Sequence, residues 1–177
     1  MQFRTRIVAA AAAAVGLVAA STGVAQAARP WHGYHAPVVR WVAPVVHAVA
    51  ANGSAVVHAD YQCAGGNAHT HLFIAVKQGP QVNATTHTGS QWAKTFYSTN
   101  YNSDGPGLRL NCDGRAHNKR FVLKPDPYWA NAGNNPPALH AGRAFVQFCL
   151  FDSTNSGADG DLTGFAFNYT MKKVVQN

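Results

Sequence analysis

Glutamate is missing altogether: the seven acidic residues of this 177-residue chain are all aspartate. Aspartate suits turns and glutamate suits helix faces, so the bias argues against a helix-rich fold and for one with many turns. Charge is sparse as well, at 12% of residues with a formal net charge of +7. The basic residues are scattered, with no run of five and no reader motif, which argues against nucleic-acid binding. No Gly-x-Ser-x-Gly occurs, no Glu is there to act as acid or base, and Cys149 has no identifiable activating partner. The chain is therefore expected to be neither an enzyme nor a cofactor carrier. No apolar run reaches the ~20 residues that span a bilayer, so no membrane anchor is expected.

The longest apolar run, from Ile7 to Ala20, comes after Arg4 and Arg6 and leads into Ala25-Gln26-Ala27. A basic start, an apolar centre and a small-residue cleavage site make residues 1–27 a secretory signal, and the expected location is extracellular. Arg4 and Arg6 leave with it, so the mature chain is only modestly basic.

Cysteine is scarce too. Cys63, Cys112 and Cys149 remain after export, enough for one disulfide and one leftover thiol. Strand parity ranks the pairs: Cys63 shares a face with Ala55, Val57, Ala59 and Tyr61, and Cys112 with Leu108 and Leu110. Cys149 falls beside Gln147, opposite Val146, Phe148 and Leu150. The favoured link is Cys63–Cys112, with Cys149 buried and free.

Residues 28–52 differ in character from the rest of the mature chain. Ala36-Pro37-Val38-Val39-Arg40-Trp41-Val42 is echoed by Ala43-Pro44-Val45-Val46-His47-Ala48-Val49. A proline at each seventh residue opposes a helix, and the valine pairs favour extended chain. This is either an apolar linker or a strand in need of a sheet. From residue 53 to 177, short alternating runs are divided by Gly, Asn, Pro and Asp, with strands predicted near 54–63, 71–78, 107–112, 118–124, 142–151 and 163–175. Short turns are placed around 90–97 and 126–132. The reading is an all-β, antiparallel sandwich of about six or seven strands with one disulfide.

Asp60-Tyr61-Gln62-Cys63, Leu72 to Gly79, Leu110-Asn111-Cys112-Asp113-Gly114 with His117, and Gly142 to Val146 together resemble small secreted actinobacterial domains of the immunoglobulin-like sandwich type, whose function is unknown. The resemblance covers about residues 53–152 and implies the same Cys63–Cys112 pairing. The long aromatic insertions and the third cysteine depart from that pattern.

Among nine histidines only His69-x-His71 has ligand-like spacing, since alternate strand residues share a face. It makes an incomplete metal site and defines a rival reading, a small metal-dependent enzyme. The Asp152 to Asp161 stretch clusters oxygen ligands but lacks EF-hand spacing, so a hairpin loop is the plainer reading. Tyr128 and Trp129, in a proline-rich connection, suit recognition or sugar stacking and define the other rival, a carbohydrate- or cell-wall-binding module. The leading expectation is a secreted, non-enzymatic binding or adaptor module for another extracellular protein. Its contact residues would be Val38, Val39, Trp41, Val42, Val45 and Val46 in an extended N-terminal strand, with Tyr128 and Trp129. That layout is similar to the adaptor subunits of umbrella toxin particles, which carry an inserting N-terminal strand.

Overall fold

The computed structural model describes residues 36–64, 70–84, 92–99, 107–126, 137–152 and 165–177. Eight strands are present there: β1 (Val38–Val42), β2 (Val45–Val49), β3 (Ser54–Gln62), β4 (Thr70–Gln78), β5 (Thr95–Ser98), β6 (Ala116–Pro125), β7 (Gly142–Asp152) and β8 (Phe165–Gln176). The reversal between β2 and β3 is a single 3-10 turn, Ala50–Asn52, closed by Gly53 at φ 56°, a left-handed conformation that glycine adopts without steric cost.

Seven strands close into a ring in the order β2-β8-β7-β4-β5-β6-β3 and back to β2. The two-sheet, immunoglobulin-like sandwich read from the sequence is thus corrected to a closed barrel. Two short strands join what would otherwise be separate sheets. β5 pairs with β4 through Gln78↔Thr95 to Ala75↔Ser98, and with β6 through Tyr97↔Pro125 and Ser98↔Lys124. β2 pairs antiparallel with β3 and parallel with β8, from Val45↔Lys173 to Ala48↔Gln176. β5 has only four residues, in a stretch read as a turn, and β2 is bounded by Pro44 and the 3-10 turn. Neither is long enough for alternation to announce it.

The barrel interior is filled from every strand of the ring. Val57, Leu72, Ile74, Val76, Phe121, Leu123, Val146, Phe148, Leu150 and Val174 are at most 1% exposed. Phe121 meets Phe148 edge-on at 5.4 Å between centroids, and Tyr61 packs on Phe121 at 5.9 Å. Each such side chain contributes roughly 1.5–3 kcal/mol by burial. A second apolar layer lies outside the barrel, where Phe73, Ala75, Phe96, Phe145 and Cys149 are covered by Val82 and Ala93. β4 is therefore buried on both faces, which explains why Leu72 to Val76 reads as a continuous apolar run.

The stretch predicted as a strand at 107–112 has no strand partner. Leu108, Leu110 and Cys112 still turn inward, at 8%, 4% and 4% exposure, but the backbone is irregular. It is held by the Asn111 N–H donating to the Tyr61 hydroxyl (2.9 Å), the Gly114 N–H donating to the Cys63 carbonyl (2.8 Å), and the disulfide Cys63–Cys112. Cys149 is free and buried.

Candidate binding site at the β1–β8 seam

The valine repeat becomes β1 and β2, and its two halves do different work. β2 bridges β3 and β8; β1 precedes it along the same edge of β3 and pairs with β3 alone, through Val38↔Gln62, Val39↔Tyr61, Trp41↔Asp60 and Val42↔Ala59. Ala43 and Pro44 make the step between them. The Ala43 N–H donates to the His58 carbonyl at 2.9 Å, and the Pro44 carbonyl accepts from the Lys173 N–H at 3.0 Å. Proline has no N–H to give, so the ladder shifts from β3 towards β8 at this point.

The other wall is β8. It pairs with β7 from Phe165 to Val174, but β2 covers its far edge only over Lys173–Gln176. From Phe165 to Lys172 that edge has no strand partner among the described residues. β1 and β2 run in the same direction, and β2 is parallel to β8. Val42 consequently sits at the Lys172 end of the opening and Val38 towards the Phe165 end. Lys172 ties the closed end by donating from Nζ to the Val42 carbonyl at 2.8 Å, and burial holds its pKa below the usual lysine value.

The sequence-predicted contact residues divide accordingly. Val38 and Trp41 are exposed, at 44% and 45%; Val39 and Val45 are half-buried; Val42 and Val46 are core, at 2% and 0%. Across the opening, Phe167 is 53% exposed and stacks on Tyr169 at 4.8 Å. Among the described residues two buried side-chain oxygens lack a hydrogen-bond partner, and both flank β1 or its opening: Asp60 Oδ1, opposite Trp41, and Asn168 Oδ1, on the uncovered half of β8. The nearby charge is positive. Arg40 donates from Nη2 to Gln62 Oε1 at 2.9 Å, the Lys172 ammonium lies at the closed end, and Lys173 follows it there in the strand. On the neighbouring outer face, desolvation, Arg120 and His47 lower the pKa of His58.

Tyr128, Trp129 and His69 lie outside the described residues, as does the Asp152 to Asp161 stretch beyond Asp152. His71 stacks on Phe151 at 5.0 Å. Among the described residues no group of three or more His, Cys or Asp side chains gathers to hold a metal, and no helix is long and apolar enough to cross a membrane.

One polar cluster escaped the sequence reading. Lys77, 1% exposed on the outer layer, donates from Nζ to Gln147 Oε1 at 3.0 Å and lies over the rings of Phe96 (5.2 Å) and Phe145 (5.7 Å). Gln147 in turn donates towards the Tyr169 hydroxyl at 3.4 Å, and that hydroxyl lies 3.3 Å from Cys149 Sγ. Desolvation pushes the Lys77 pKa down to about 8 and the Cys149 thiol up. The signal in the sequence was a lone charge in phase with Phe73 and Ala75. Pairing of Phe73 with Cys149 and of Lys77 with Phe145 brings the cluster onto one face.

No protein-family model, curated protein or solved structure matches the chain.

Proposed function

We propose that this chain is exported as a non-enzymatic binding or adaptor module, and that it engages an extracellular protein by taking an extended segment of it into the β1–β8 seam. The observation that carries the reading is the pair of strand edges, Val38–Val42 and Phe165–Lys172, each with a ladder on one side only. Backbone N–H and C=O groups on such edges are a template for an added strand. The unpaired acceptor of Asn168 offers a bond to a donor on the incoming chain, and a buried acceptor left alone is costly. Val38, Trp41 and Phe167 supply apolar contact on the outer side. Arg40, Lys172 and Lys173 favour acidic residues flanking the inserted segment.

The test is the size of the secreted protein, measured by chromatography with light scattering on material from the medium of the host that encodes it. The expected result is an assembly larger than one chain, reduced to monomer by Val38→Lys with Trp41→Lys, because edge lysines block strand addition. Lys124→Ala, on β6 at the opposite end of β3 from β1, should leave it intact. A wild-type monomer, or an assembly indifferent to the lysine pair, would overturn the reading.

A further inference from the structure

A second site lies at the end of the barrel where β4 stops and β5 and β7 begin. A cavity of about 360 Å³ opens there, and its lining includes Lys94, His140 and Arg143, with Pro80 and Pro137 among the walls. Among the described residues no carboxylate lines it. The charged ends of Lys94 and Arg143 and the His140 ring have no hydrogen-bond or ion-pair partner among the described residues.

These three residues are held around the cavity by one other, Gln78, which is itself 3% exposed. Its Nε2 donates to the carbonyls of His140 (2.9 Å) and Arg143 (3.3 Å), and its Oε1 accepts the His140 N–H at 3.0 Å. Its backbone carbonyl accepts the Lys94 N–H at 2.9 Å. The backbones that carry the three basic side chains are thus fixed by hydrogen bonds to a single buried residue. The neighbouring wall is equally constrained, since a Cβ on Gly79 would stand 2.6 Å from the Trp92 carbonyl oxygen. Like charges gathered around one hollow, with no counter-charge among the described residues, repel one another in the free protein, and an anion that enters relieves the repulsion.

The geometry points to a binding site for a phosphate monoester carried on a small polar body. The Arg143 fork can meet two oxygens of the group and Lys94 a third, with His140 as a further donor. The cavity is several times the size of a bare phosphate, and the two prolines offer an apolar wall against which a sugar-sized body can lie.

The test is isothermal titration of the full chain at low salt with glucose 6-phosphate, inorganic phosphate, glucose and the diester glycerophosphocholine. Glucose 6-phosphate is expected to bind below about 1 mM, and the other three at least roughly tenfold more weakly. Arg143→Ala and Lys94→Ala should each weaken it by about tenfold, and Arg115→Ala should not. Both altered side chains are exposed, and thermal melts verify that the variants stay folded. No heat up to about 10 mM glucose 6-phosphate, binding of glucose or the diester with equal affinity, or undiminished binding in the Lys94→Ala/Arg143→Ala double variant would overturn the site.

Discussion

Lys77 places its ammonium 3.0 Å from the amide oxygen of Gln147, on a face of β4 and β7 that is otherwise apolar. Burial pushes its pKa down to about 8, from an ordinary value of 10.5. The native state therefore sheds the proton near pH 8, while the unfolded chain keeps it to about pH 10.5. Stability from this group rises with pH across that window, and at pH 7 the buried charge is a liability. Lys77→Met should stabilise the protein at pH 7 by about 1–2 kcal/mol, after roughly 1 kcal/mol is lost at Gln147 Oε1. The gain should shrink as pH rises towards 10. Cys149 and Tyr61, both raised by burial, act in the opposite sense at high pH in either protein. Urea titrations of the two proteins between pH 6 and 10 measure the difference; a constant offset would contradict it.

The same burial should leave Cys149 inert. Desolvation disfavours the thiolate, which is the reactive form. An aromatic disulfide reagent should modify it at least roughly 100-fold more slowly in the native protein than in urea, where one thiol per chain should react. Rapid native labelling would show that the outer layer opens readily.

The disulfide and Tyr61 hold the irregular 107–115 stretch to the end of β3. Replacing Cys63 and Cys112 together with alanine releases a link across 49 residues, and the chain-entropy argument puts the loss at about 4 kcal/mol as an upper figure. Tyr61→Phe removes the acceptor of the Asn111 N–H and should cost about 1 kcal/mol. Thermal melts of the two variants would rank them in that order.

The valine repeat supplies a sharper contrast. Val46→Ala cuts into the core and should cost about 2 kcal/mol, whereas Val38→Ala, on the exposed side of β1, should stay within about 0.5 kcal/mol. Equal effects would mean that Val46 and Val38 are not divided between core and surface.

Parity in Ala55 to Cys63 and in Leu108 to Cys112 selected the disulfide pair from sequence alone, because an inward cysteine on each side is a local property. Alternating or apolar runs located β3, β4, β6, β7 and β8 to within a few residues. The closure of the sheet was not legible: it depends on β5 and β2, whose partners are remote in the chain and whose lengths are too short for a periodic signal. The open seam was hidden for the same reason, since it exists only because β2 begins at Val45, opposite Lys173, while β8 extends back to Phe165. The cluster around Lys77 was half visible as a charge out of place in an apolar strand. Its partners Gln147 and Tyr169 come from register alone.

The measurement closest to the central claim is amide hydrogen exchange on the protein alone and in its secreted assembly. In the free protein, amides of Val38–Val42 and Phe165–Lys172 that point into the seam should exchange fast, while those of β3 and β6 stay protected. On assembly, protection should rise in those two segments and hardly elsewhere. An assembly that forms while the seam amides exchange as before, with new protection on another face, would contradict the account.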